Sequence, residues 1–224
     1  MANLTDWSPD VLPHIMGLPE VALKEGVRNA CREFCKETLL WTYELSRIDI
    51  VANTRTYDLT IPTAQNAELI SAENVKYKQN GADDDQFRTL DPISETQEDL
   101  HSSGSWRFTT APTPNGYWVD PVNKQIHFYQ IPTEASSQGL LVLVNLKPNN
   151  TTNTVPDFLY SDHKEAIAAG ALADLLNRKA MPWYDPVEAN RQALEFLRRY
   201  SNARWIKTTG LTRRPSRVRM RDWL

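Results

Sequence analysis

Residues 163–205 read HKEAIAAGALADLLNRKAMPWYDPVEANRQALEFLRRYSNARW, and this stretch decides the architecture. Ala166, Ile167, Ala169, Gly170, Ala171, Leu172, Ala173, Leu175 and Leu176 give its first half a broad apolar face with small residues at the centre. Residues that small let a neighbouring backbone approach closely. Pro182-Trp183-Tyr184-Asp185-Pro186 interrupts the helical period, after which Ala189, Ala193, Leu194, Phe196, Leu197 and Tyr200 resume it. The pattern predicts helices over 157–180 and 187–205, and the short connection makes them antiparallel neighbours. In the second helix those six residues are expected to be buried, with Arg191, Glu195, Arg198 and Arg199 exposed. Trp183 and Tyr184 are expected to lock the hairpin from within.

Downstream, charge replaces apolar pattern. Residues 204–224 hold Arg204, Lys207, Arg213, Arg214, Arg217, Arg219 and Arg221 against one acid, Asp222. The first 203 residues therefore keep 18 basic and 27 acidic side chains, a net −9, while the last 21 carry +6. A split of this size predicts an arm, residues 207–224, that leaves its own domain to find a partner.

Upstream, Pro19 suits the first turn of a helix. Leu23, Val27, Ala30, Cys31, Phe34, Thr38 and Trp41 continue at helical spacing through Trp41 or Leu45, with Gly26 marking a close helix–helix contact. The first 17 residues, broken by Pro9, Pro13 and Gly17, are expected to be irregular. Between the first helix and the C-terminal pair lies a strand-rich insertion. Residues 46–51 and 56–61 predict a hairpin, and residues 69–79 a strand turning at Asn80-Gly81. Ser94 and Gln97 predict a short capped helix over 94–100. Strands are expected over 117–119, 125–130 and 140–146, with 148–154 a linker. The fold class is α+β. It comprises a small antiparallel helical bundle (19–45 and 155–206), an inserted antiparallel β region (46–154), an N-terminal segment (1–18) and an extended C-terminal arm (207–224).

Composition is that of a soluble globular chain, 41% hydrophobic and 24% charged, with a pI near 5.8. No apolar run long enough to span a membrane and no secretory signal is present, so no membrane partner is expected. Cys31 and Cys35, four apart on one helix, are expected as reduced thiols, because a disulfide within one helix strains its geometry. His14, His101, His127 and His163 are scattered and lack zinc-ligand spacing. Asp83-Asp84-Asp85 lacks the spaced oxygens of a calcium loop. Phosphate-cradling glycines and a nucleophile elbow are missing. No catalytic residue, cofactor or metal site is nominated, and the expectation is a chain that is not an enzyme. Trp106, Tyr117 and Trp118, in or near the insertion, fit either core or interface.

The order of these pieces resembles the head-to-tail adaptor (connector) family of tailed bacteriophages that includes podophage tail tubular protein A. The resemblance rests on several features taken together. They are the capped first helix ending near Trp41, then Asp58-Leu59-Thr60-Ile61-Pro62, Tyr129-Gln130-Ile131-Pro132 and Lys147-Pro148. Val155-Pro156-Asp157-Phe158, the Glu165-to-Ala173 run, the Pro182-to-Pro186 turn and the final helix complete it, spanning most of 19–205. It implies a structural virion protein at the head–tail interface, assembled in the host cytoplasm, in a homo-oligomeric ring (a dodecamer) below the portal. It also implies C-terminal arms on the portal protein, a tail or nozzle protein beneath, and double-stranded DNA passing through the lumen during genome ejection.

The physical reading agrees. A body of about 206 residues is about 40–45 Å across, and 18 extended residues span roughly 60 Å. Arg213, Arg214, Arg217, Arg219 and Arg221 suit bidentate contacts with carboxylates, and Trp223 and Leu224 offer an apolar anchor at the tip. The alternative is a nucleic-acid-binding protein whose basic tail contacts phosphates.

Overall fold

A computed structural model describes residues 1–83, 86–94, 108–120 and 122–210. The chain is α+β. Helix α1 (Ser8–Val11) is a single turn, flanked by 3-10 turns at Leu4–Trp7 and Leu12–His14. Helix α2 spans Glu20–Thr38, α3 spans Asp157–Ser161, α4 spans Lys164–Leu176 and α5 spans Pro186–Thr209.

The expectation of an irregular first 17 residues is overturned. Pro9 and Pro13 sit in the first turns of α1 and of the second 3-10 turn, where a missing N–H is harmless, so they start these elements rather than break them. Leu4, Trp7, Val11 and Ile15 are buried in the core. The segment is also stitched to the chain's far side. Strand β1 (Ala2–Asn3) pairs antiparallel with a two-residue strand at Thr154–Val155, and the Trp7 indole N–H donates to the Lys164 carbonyl at 3.1 Å. Trp7 also meets Tyr160 edge-on at 4.9 Å, and Lys164 pairs with Asp10 at 2.9 Å.

That docking accounts for a second correction. The single helix expected over 157–180 is two helices, α3 and α4, broken at Asp162 and His163 and ending at Leu176. At the break, α3 presents Tyr160 to Trp7, while the His163 ring lies 4.8 Å from Phe34 of α2. The first helix ends at Thr38, short of Trp41, because Leu39 takes a left-handed cap conformation (φ 54°).

Helix α4 lies between α2 and α5 and touches both. Two glycines make room for this. A Cβ at Gly26 would stand 2.9 Å from Cγ of Leu175, and one at Gly170 would stand 3.0 Å from Cβ of Ala30 and from the Phe196 ring.

The main sheet is built on β12 (Ser136–Pro148). On one side of it runs β5 (Ala67–Tyr77), with β6 (Arg88–Thr89) beyond; on the other lie β2 (Thr42–Glu44) and β3 (Ile48–Ile50). A second sheet has the order β4 (Thr56–Asp58), β10 (Gln125–Phe128), β9 (Gly116–Asp120), β7 (Asp91–Pro92). Short strands β8 (Thr110–Ala111) and β11 (Ile131–Pro132) pair in parallel, and β13 is the Thr154–Val155 strand. Leu140, Val142, Val144 and Leu146 alternate along β12 with their side chains buried. Phe128 lies 5.5 Å from Tyr57 and 6.0 Å from Tyr77, joining the two sheets in one core.

The predicted 46–51/56–61 hairpin does not form. Ile50 pairs with Ser136, whereas Tyr57 pairs with Ile126 in the other sheet. The intervening loop is turned aside by Asn53 N–H to the Pro132 carbonyl at 2.8 Å and by the Tyr57 hydroxyl bonded to Val51. The strands expected at 69–79, 117–119, 125–130 and 140–146 are present as β5, β9, β10 and β12. The helix expected over 94–100 lies outside the described residues beyond Ser94, as do Trp106, His101, Asp84 and Asp85. Tyr117 is core, and Trp118 is half-buried.

Helix α2 grips the sheet through Arg32, which makes a bidentate contact with Glu68 (3.2 and 3.0 Å) and donates to the Pro148 carbonyl. Arg32 holds Glu68 below its ordinary pKa, so this contact stabilises the fold above the usual carboxylate range and is lost as pH falls through the lowered value. Arg28 reaches the Thr152 carbonyl at 2.8 Å, tying down the 148–154 linker.

Trp7→Ala removes a fully buried ring and an indole hydrogen bond. It is expected to destabilise the protein by about 3–5 kcal/mol, measured by urea denaturation. A dispensable N-terminal extension would show less than about 0.5 kcal/mol.

Candidate assembly surface

Helix α5 begins at a fixed point. The Asp185 carboxylate accepts from the backbone N–H groups of Val187 and Glu188, both at 3.1 Å, and Pro186 occupies the first turn. The Trp183 indole donates to the Leu175 carbonyl at 3.1 Å, and Asp185 N–H to that of Leu176 at 3.0 Å, satisfying the end of α4. Trp183 thus locks the helix hairpin as expected; Tyr184 does not, standing exposed beside it.

Over its 24 residues α5 attaches to the body by a narrow line, with Ala189, Phe196 and Ala203 its buried residues. Ala193, Leu194 and Leu197, expected inside, face solvent. Val187 (79% exposed), Leu194 (69%), Leu197 (50%) and Trp205 (64%) form an outward apolar stripe. The sequence signal was present as apolar residues at more positions than one face of a helix holds. Reading them all as one stripe hid the second.

Charges beside the stripe are neutralised locally. Arg191 pairs with Glu188 at 2.6 Å, Arg198 with Glu195 at 2.7 Å, and Arg199 with Glu195 at 2.6 Å and Glu165 at 2.5 Å. Hydrogen bonds from Arg191 and Arg198 lower the pKa values of Glu188 and Glu195.

The far end of α5 is fastened by Lys207, which belongs to the helix rather than to an extended arm. Its ammonium donates to the Leu39 carbonyl, to Glu73 at 3.0 Å and to the Asn145 side-chain oxygen at 3.2 Å, which occupies all three of its N–H bonds. These acceptors come from the cap of α2, from β5 and from β12. Glu73 reaches Lys207 from a β-bulge, where pairing steps from Leu143–Asn74 to Val144–Ala72 and skips it. Arg204 is exposed on the same last turns. Arg213, Arg214, Arg217, Arg219, Arg221, Trp223 and Leu224 lie outside the described residues.

An open groove of ≈ 700 Å³ lies between β5 and β9. Its ionisable residues are Tyr117, Asp120 and His127. The Asp120 carboxylate accepts from Val122 N–H (2.8 Å) and from the Asn123 backbone and side chain, which lower its pKa. His127 stacks on Trp118 at 4.8 Å and lies 3.0 Å from the Thr56 hydroxyl. Burial lowers the pKa of His163 and raises Cys35 to about 12, and both cysteines are free and buried. Among the described residues, no three His, Cys, Asp or Glu side chains converge on a metal-sized site, and no helix is long and apolar enough to cross a membrane.

Among the described residues, the feature that stands out is the apolar outer face of α5. The chain belongs to the SU10 adaptor protein family, whose profile matches residues 3–221. Membership makes it a structural adaptor of a tailed bacteriophage, with a place in the virion and with portal and tail proteins as its partners. No curated protein matches the chain in a direct comparison.

Lys207→Met keeps the aliphatic stem but removes three donated bonds, leaving the Asn145 oxygen without its cation. A loss of about 1–3 kcal/mol is expected, with faster amide exchange confined to the last turns of α5. Unchanged exchange there would show that the lysine fastens nothing.

Proposed function

We propose that this protein forms a ring below the portal that joins capsid to tail, lines the DNA channel, and binds the portal through its basic C-terminal segment. Supporting this is the exposed helix α5, rooted at both ends and running at Gly210 into residues 211–224. That segment carries Arg213, Arg214, Arg217, Arg219 and Arg221 with Trp223 and Leu224 at its tip. In this reading α2, α4 and α5 act as a small bundle that holds the ring. Guanidinium groups in such a segment suit carboxylates of a partner, while the terminal apolar pair supplies area. Twelve subunits and a tail or nozzle protein below are what the family resemblance implies. The acidic body suits a channel through which DNA must slide without sticking, because like charge keeps the duplex from binding the wall.

Because Lys207 belongs to the body, the informative truncation removes residues 211–224. The shortened protein is expected to melt like the full chain yet fail to co-sediment with purified portal. Undiminished portal binding would overturn the assignment of these residues. Fluorescence anisotropy with a labelled duplex over a salt series separates the nucleic-acid alternative. Tight binding at physiological salt, lost with 211–224, would replace the portal reading by a DNA-binding one.

A further inference from the structure

The outer face of α5 has a pattern that its own fold does not use. Val187, Asn190, Leu194, Leu197, Ser201 and Arg204 follow one another at spacings of 3, 4, 3, 4 and 3 residues, the a/d alternation of a coiled-coil seam, and all six are exposed. This seam is separate from the line of Ala189, Phe196 and Ala203 that packs on α4 and α2. A knobs-into-holes seam calls for a helix as its occupant.

We infer that the occupant is α5 of a second copy of this chain, packed antiparallel about a two-fold axis. The order of residues along the seam carries the inference, because it is complementary to its own reverse. With the helices antiparallel, Leu194 falls against Leu197 of the second copy, Asn190 against Ser201, and Val187 against Arg204 with Trp205 beside it. Apolar residues thus meet apolar residues at the centre, and the two amide- or hydroxyl-bearing residues meet each other. The large Trp205 lies at the end occupied by the small Val187. In the same register Arg191 comes beside Trp205 of the second copy, a cation–π position. Arg198 approaches its own equivalent. Each already carries Glu195, and the two pairs can be exchanged across the axis without an unpaired charge.

Size sets the strength. From Val187 to Trp205 the seam is about 27 Å long. One helix face of this length buries well under the roughly 800 Å² per partner of a standard stable interface. The pair is therefore weak and opens on dilution. A closed ring uses head-to-tail contacts, whereas this contact is isologous. It is a state of the free subunit, beyond the ring reading and independent of it. Its effect is to withdraw an exposed apolar stripe from water before assembly.

The test uses the full chain without portal. Sedimentation velocity from micromolar to near-millimolar concentration is expected to show a monomer–dimer equilibrium. Leu194→Glu, at an exposed position, is expected to weaken it roughly tenfold or more without moving the thermal melt. Orientation is read by disulfide cross-linking. Val187→Cys and Arg204→Cys variants should link when mixed and not when either is oxidised alone, the native Cys31 and Cys35 being buried. A wild-type monomer at every concentration, a Leu194→Glu dimer as tight as wild type, or cross-links within a single variant would each overturn the inference. Failure of the ring reading shows separately, as wild-type protein that does not assemble on portal.

Discussion

The close passage of α4 between α2 and α5 is the constraint on which the rest of the structure depends. At Gly26 and Gly170 a single methyl group would push on Leu175, Ala30 and Phe196. A helix clasped on two sides must be apolar around most of its circumference, and α4 buries nine of its 13 residues. Of its two neighbours, α2 is covered on a second side as well and α5 much less. Helix α2 spends its other flank on the sheet through Arg32 and Glu68 and on the return segment through Arg28. Helix α5 has no second neighbour among the described elements comparable to α4, so its outer flank is left to water.

The inserted sheets bear on that flank indirectly. Strand β12 carries Asn145, whose side chain is held by Ser71 and faces the Lys207 ammonium. Strand β5 would present Glu73 differently if its pairing with β12 were regular. The bulge adds one residue and re-aims the carboxylate at Lys207. The β region therefore fixes where α5 ends, and so the point from which residues 211–224 depart. An assembly protein needs that point defined, since a binding segment is only as well placed as its root.

Much of this was legible in the sequence, and the failures have identifiable physics. Gly26 announced a helix crossing, and the small residues around Gly170 announced another. The Pro182-to-Pro186 turn correctly joined antiparallel helices. Periodicity fails where the partner is remote. Nothing local in residues 46–61 says that Ile50 will face Ser136 and Tyr57 will face Ile126, and adjacency in sequence wrongly made them a hairpin. Proline is ambiguous in the same way, because Pro9 and Pro13 read as breakers although each starts a helical turn, the first burying Val11 and the second leading into buried Ile15. The 157–180 helix broke at His163 because the N-terminal turn docks on the chain there, a contact more than 150 residues away in sequence. For α5, periodicity assigned residues to a stripe without saying what covers the stripe. It therefore predicts Leu194 and Leu197 inside, whereas the core takes only Ala189, Phe196 and Ala203 from this helix.

Two kinds of interaction are thus kept apart along one helix and its continuation. Beside the α5 seam, the arginines 191, 198 and 199 are matched by glutamates within reach, so the helix carries little unbalanced charge there. The excess positive charge is concentrated in 211–224, where five arginines face one aspartate. Attraction between an acidic surface and that segment is screened over about 10 Å at 0.1 M salt, whereas packing of Leu194 or Trp205 against an apolar surface is strengthened, not weakened, by salts excluded from protein surfaces. Contacts made by the helix and by the terminal segment therefore respond to salt in opposite directions. Because Arg191 is matched by Glu188, and Arg198 and Arg199 by Glu195 and Glu165, the middle of the helix face competes little with the terminal segment for acidic counter-charge.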